Sequence, residues 1–178
     1  MQATEQGTRE ANRRRYQVVP RTLIFLTSTN PHSGGREVLL IKGAPTKRLW
    51  AGKYNGLGGH VEVDEDILAA AVRELAEETG LTEVMLSLRG VVNIDTGSDS
   101  DGARPGVLMF VFSGESNKRS VQSTMEGQPE WIPLANLADY PLLDDLYALI
   151  PRVLSSEALF FGHYHPAPDG SLVYHFTP

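Results

Sequence analysis

Short apolar runs alternate with polar, turn-rich stretches along this chain, and the spacing of the apolar positions predicts most of its elements. VVPRTLIFLTST from Val18 and REVLLIKG from Arg36 are rich in aliphatic and β-branched residues and read as two strands joined by the turn formers NPHSGG. Residues 44–53 read as a loop. YNGLGGHVE follows as a short extended piece whose three glycines let backbone approach a ligand closely. From Glu65 to Thr79, Leu68, Ala71, Val72 and Leu75 recur at helical spacing, which predicts a helix with those four as its buried stripe. Asp64 is placed to cap its start, and Gly80 to close its end in the left-handed conformation.

Further on, TEVMLSLRGVVNIDT reads as a strand pair or one long bent strand, GSDSDGARPG as a hairpin loop, and VLMFVFSG as a buried strand. SVQSTMEGQPEWIPL runs through a loop into a strand, and LANLADY makes one or two helical turns. LLDDLYALIPRVL reads as a second helix, with Pro151 interrupting or ending its first part. ALFFGHYHPAPDGSLVYHF reads as a hairpin around Pro-Asp-Gly. Strands interleaved with two helices predict an α+β fold, a mixed sheet sandwiched between helices.

Composition narrows the function. With 178 residues and 41% hydrophobic residues, the chain is expected to form one domain, residues 16–178, behind a flexible tail, residues 1–15. Arg13, Arg14 and Arg15 in that tail read as a solvated charge run. A net charge of −6 argues against a nucleic-acid polymer as partner. The absence of cysteine excludes disulfides and thiolate chemistry. No apolar run has the length of a membrane span and no secretory h-region opens the chain, so a cytoplasmic protein without a membrane partner is expected.

The helix carries an unusual load. Glu74, Glu77 and Glu78 sit at i, i+3 and i+4 on one face. Like charges at that spacing destabilise a bare helix by roughly 0.2–0.5 kcal/mol per pair. A divalent cation holding a phosphate chain would offset that repulsion.

The spacing around these residues is specific. From Gly59, five residues lead to Glu65 and seven more to Arg73-Glu74; Leu75, any residue, Glu77-Glu78, any residue, Gly80 and Leu81 follow. This resembles the Nudix box, G-x5-E-x7-R-E-U-x-E-E-x-G-U, with no position missing. On it the chain is identified as a member of the Nudix family, whose members hydrolyse a diphosphate linked to another group X. The resemblance implies the Nudix-type α/β/α sandwich with a mixed β-sheet, and Mg2+ as cofactor, with Mn2+ as the alternative. It implies that Glu74 and Glu78 bind metal with the Gly58 carbonyl nearby, and that Glu77 holds a further metal or a metal-bound water. Arg73 would orient the glutamates and Glu65 would support that network. Glu126, ahead of EWIPL, would complete the metal site or act as general base, with Glu115 and Glu130 as alternatives.

The resemblance extends to the branch of MutT-like 8-oxo-dGTP diphosphatases. YNGLGGHV is similar to its W-N-G-x-G-G-K-V segment, which implies that Asn55 contacts a purine. YPLLDDLYALIPRVLSSEALFFGHY is similar to its last helix and strands, which implies that Asp144 and Asp145 read the base. Asn55 also reads as a turn residue before Gly56, and the two aspartates also suit a helix start. Leu142 and Leu143 stand where the branch has a tryptophan, Tyr54 replaces a second one, and His60 takes the place of a lysine. Trp50, Tyr54 and Phe25 are the candidates for stacking on a base. Lys42, Lys47, Arg48 and Lys53 are candidates for phosphate. His163 and His165 alternate as on a strand face, and that pair alone does not read as a zinc site.

The function implied is Mg2+-dependent hydrolysis of a purine nucleoside triphosphate, with oxidised bases such as that of 8-oxo-dGTP included, to the monophosphate and pyrophosphate. A different nucleoside diphosphate-X substrate, or a non-catalytic nucleotide-binding module, are the alternatives.

Overall fold

The computed structural model describes residues 16–46, 50–99, 102–125, 127–169 and 171–177. The expected tail, Lys47, Arg48 and Glu126 lie outside them.

β1 (Val18–Thr29) is the spine of the sheet. On one edge it runs parallel to β7 (Gly106–Glu115), from Val18 opposite Gly106 to Thr27 opposite Glu115. β7 pairs antiparallel with β4 (Leu86–Ile94), β4 parallel with β9 (Phe160–Pro166), and β9 antiparallel with β10 (Leu172–Thr177). On its other edge β1 meets β2 (Arg36–Gly43) only from Leu26 to Thr29. β2 then diverges, pairing with β8 (Gly127–Pro133) and, at Ile41 and Lys42, with the short β3 (Tyr54–Asn55). The loop after β4 holds a small ribbon, β5 (Ser98–Asp99) with β6 (Gly102–Ala103).

Strand alternation divides the core in two. Leu23, Phe25, Val38 and Leu40 pack toward α2 (Leu146–Ser155), whereas Ile24, Leu26, Leu39 and Ile41 pack toward α1 (Ile67–Thr79). The expected sandwich of helices on both faces of a mixed sheet is what forms.

Both helices differ in detail from their expected form. Asp66, not Asp64, caps α1, accepting from the Leu68 and Ala69 N–H groups at 2.8 and 2.9 Å. The helix is also rotated from the expected stripe: Ala70, Ala71, Leu75, Glu78 and Thr79 are buried, while Leu68 and Val72 are 47% and 44% exposed. The two alanines let the helix sit close on the sheet, and that rotation carries Glu78 inward. Gly80 closes α1 in the expected left-handed conformation, at φ 75°. α2 continues past Pro151 to Ser155. Pro151 and Tyr147 face solvent, where water can serve the carbonyl the proline leaves unpaired.

Where β1 and β2 part, the glycine-rich segment fills the wedge. Thr22 N–H donates to the Gly59 carbonyl at 2.9 Å, Ile24 and Leu57 exchange bonds at 2.7 and 3.2 Å, and Val61 N–H reaches the Pro20 carbonyl at 3.2 Å. Gly58 takes φ +125°, and a Cβ there would lie 2.4 Å from the Thr22 carbonyl oxygen. Only glycine suits that position.

Candidate active site

Arg73 is the hub of the acidic face. Its Nε and Nη2 donate to the two Glu65 oxygens at 3.0 and 2.7 Å, and Nη2 also donates to the His60 carbonyl at 3.0 Å. Its Nη1 donates to Glu74 and Glu77 at 3.0 and 3.1 Å. Three carboxylates therefore surround one guanidinium. Bonding to Glu65, then to Glu74, raises the Arg73 pKa above its ordinary value. Arg73, followed by the Glu62 N–H, holds the Glu65 carboxyl below the usual range.

Glu78 is 5% exposed, and its Oε2 accepts from the Gly58 N–H at 2.7 Å. Glu74 lies against Gly59, where a Cβ would come within 2.4 Å of its carboxylate. Both glutamates line one cavity of about 510 Å3 with Gly58 and Gly59. Glu77 is turned outward with its side chain 60% exposed, held by Arg73. Of the expected metal residues, the structure brings together Glu74, Glu78 and Gly58 and leaves Glu77 apart. Among the described residues no three His, Cys, Asp or Glu side chains converge as a ready cation cage. Two carboxylates beside close backbone make an all-oxygen donor set that fits Mg2+ or Mn2+.

A second cavity of about 200 Å3 opens behind the first and shares Arg21, Asn55, Gly58 and Leu143 with it. Asn55 and Asp145 both line it; Asp144 does not, its side chain being 92% exposed and 3.7 Å from Lys53. The Asn55 Oδ1 accepts from the Gly56 N–H at 2.8 Å, so its NH2 side remains for a ligand. Burial, reinforced by the Asp144 charge, raises the Asp145 carboxyl above its ordinary pKa.

Two aromatic candidates fall away. Phe25 is fully buried in the core, and Tyr54 is 3% exposed with its hydroxyl donating to Glu130 at 2.6 Å. Trp50 alone of the three reaches the cavity. Glu130 is committed to Tyr54, and Glu115 lines a separate cavity near the far end of β1. Lys42 lies over the Tyr54 ring at 5.4 Å. The residues 163 and 165 gain a third histidine, His175, with ring centroids stacked at 5.4 and 5.7 Å.

Sequence reasoning missed Arg21 and Tyr164. Arg21 stands on β1 in phase with Leu23 and Phe25, a cation on an apolar face, and has no ion pair among the described residues. That phase was its signal. Tyr164 was hidden by reading its strand through the flanking histidines.

The match to a family model is decisive: the NUDIX domain model covers residues 20–153. The chain belongs to the Nudix family. This Nudix chain is 27% identical over 127 residues to the oxidized purine nucleoside triphosphate hydrolase of Danio rerio, covering 70% of the chain and 77% of the relative. The Mus musculus protein of the same name is 28% identical over 125 residues, covering 70% and 77%. Among solved structures, the MutT protein of Bacillus halodurans superposes with a TM-score of 0.74 at 24% identity, covering 90% of this chain and 99% of that one. This is a MutT-like Nudix hydrolase, an enzyme acting on phosphoanhydride bonds. Hydrolases of this family use divalent metal cations and bind nucleotide substrates. Among the described residues no helix is long and apolar enough to cross a membrane.

Proposed function

We propose that this Nudix hydrolase cleaves purine nucleoside triphosphates, those with oxidised bases among them, to the nucleoside monophosphate and pyrophosphate with Mg2+. One observation carries the reading: the cavity holding Glu74 and Glu78 adjoins the cavity holding Asn55 and Asp145, and they share Gly58 and Arg21. The first suits a phosphate chain and the second a base. The names of the zebrafish and mouse relatives support the substrate class.

Glu74 and Glu78 would hold the ion, with Gly58 beside them. The bound ion neutralises phosphate charge and makes water a better nucleophile at neutral pH. Gly58 and Gly59, lacking side chains, let the backbone pack against Thr22 and Glu74, which puts it in the wall of the cavity where phosphate would bind. Arg73 fixes Glu74 in place, and Glu65 secures Arg73. The Arg21 guanidinium, at the junction, suits the phosphate nearest the sugar. Glu77 would join a metal only by leaving Arg73. Glu126 is the proposed general base.

The test is a panel of purine and pyrimidine triphosphates, nucleotide sugars and ADP-ribose with Mg2+, following pyrophosphate and phosphate. Purine triphosphates are expected to be turned over fastest, with pyrophosphate as product. Preferential turnover of a sugar-linked diphosphate would overturn the substrate assignment, and no product from any member would overturn the catalytic one.

A further inference from the structure

The inner cavity contains a phenol hydroxyl that the packing of the fold does not require. Tyr164 is 1% exposed on β9, facing the core between Tyr174 and Phe176. Its hydroxyl is buried and, among the described residues, closes no hydrogen bond of ordinary length and angle. Burial, then the nearby Asp145 carboxyl and, more weakly, Tyr174 raise the phenol pKa, and the Tyr164 and Asp145 side chains line the same cavity as Asn55. A buried hydroxyl without a good partner is destabilising, and a phenylalanine would fill the same space without that cost. Leu23, Ile94, Val107 and Met109 supply apolar wall, with Arg21 and Thr22 also at the lining. A phenol O–H and a carboxyl thus share one cavity with Asn55 and Arg21, against a wall of apolar side chains.

We infer that Tyr164 and Asp145 together read the edge of the bound base and select a 6-oxopurine over a 6-aminopurine. This rests on the reading of the site given above. The phenol donates to a carbonyl oxygen, and the adjacent carboxylate accepts from a ring N–H. A 6-oxopurine presents that order, a carbonyl at C6 next to the N1–H. A 6-aminopurine presents the reverse, an amino donor next to an acceptor nitrogen, which sets the carboxylate against a lone pair and leaves the phenol O–H without an acceptor on the base. Sites that offer buried polar groups to a substrate reject analogues that cannot pair with them far more strongly than apolar slots do.

Wild-type enzyme and Tyr164→Phe are compared for kcat/KM on dITP and dATP with Mg2+ at about pH 8, where carboxylates are ionised. The wild type is expected to prefer dITP by about tenfold or more, and Tyr164→Phe to reduce that ratio to within about threefold. In the absence of nucleotide, the variant should melt at or above the wild-type temperature, since it loses no good hydrogen bond. An unchanged ratio in Tyr164→Phe, or a wild-type preference for dATP, overturns the inference while leaving triphosphate hydrolysis standing. Hydrolysis of neither nucleotide overturns the reading of the site, and this inference with it.

Discussion

Arg73 holds Glu65, Glu74 and Glu77 at once, and a lysine cannot. Arg73→Lys keeps the charge but loses the planar fork. If Glu74 holds the ion as proposed, the change is expected to lower kcat about 10–100-fold. Steady-state kinetics with Mg2+ titration checks this; wild-type rates would show that the clamp does not position the glutamates. Asp145 gives a pH test. Burial raises its carboxyl above the unfolded value of about 3.9. Between the unfolded and folded pKa the native state binds more protons than the unfolded one, so this group lowers stability as pH rises. The penalty is absent below about pH 3.9 and complete above the folded pKa. Asp145→Asn removes it, so in urea unfolding the variant should gain on the wild type as pH rises through that window, then hold a constant lead. A difference independent of pH would contradict the assigned burial effect.

At the level of elements, α1 shows what patterning can and cannot tell. Its existence, its Gly80 end and the relative placement of Arg73, Glu74 and Glu78 were legible, because residue spacing fixes angles around a helix. Its rotation was not. Leu68 and Val72 have the hydrophobicity of core residues, but the close approach of Ala70 and Ala71 to the sheet puts them outside. The cap followed the true start of the helix: Asp66→Ala is expected to cost about 1 kcal/mol in denaturant unfolding, and Asp64→Ala close to nothing. Equal losses would contradict the observed cap. Pro151 misled for a related reason. A proline on the solvent side of a helix leaves a carbonyl that water can serve, so the apolar face of α2 continues past it.

Across the whole molecule, the site exists because β1 and β2 pair only at one end. The wedge they leave admits Leu57 to Val61 as a partial strand, and α1 then sets its glutamates against those glycines. The family, the sandwich and the acidic face could be read from the sequence because the box concentrates them in one contiguous stretch. The cavity that Asn55 and Asp145 line could not. It is assembled from β1, the Asn55 turn, the start of α2 and β9, so Arg21 and Tyr164 join it only through folding. The same assembly explains why Asp144 and Asp145, adjacent in sequence, part company: one meets solvent and Lys53, the other the cavity.

The most direct test is product analysis of dGTP incubated with Mg2+ and either wild-type enzyme or Glu78→Gln. The amide oxygen can still accept from the Gly58 N–H, so the variant should remain folded while losing the carboxylate proposed to hold the ion. The wild type should release one pyrophosphate for each dGMP, and Glu78→Gln should be slower by orders of magnitude with an unaltered circular dichroism spectrum. Wild-type turnover by Glu78→Gln, or wild-type release of dGDP and phosphate instead, would contradict the account.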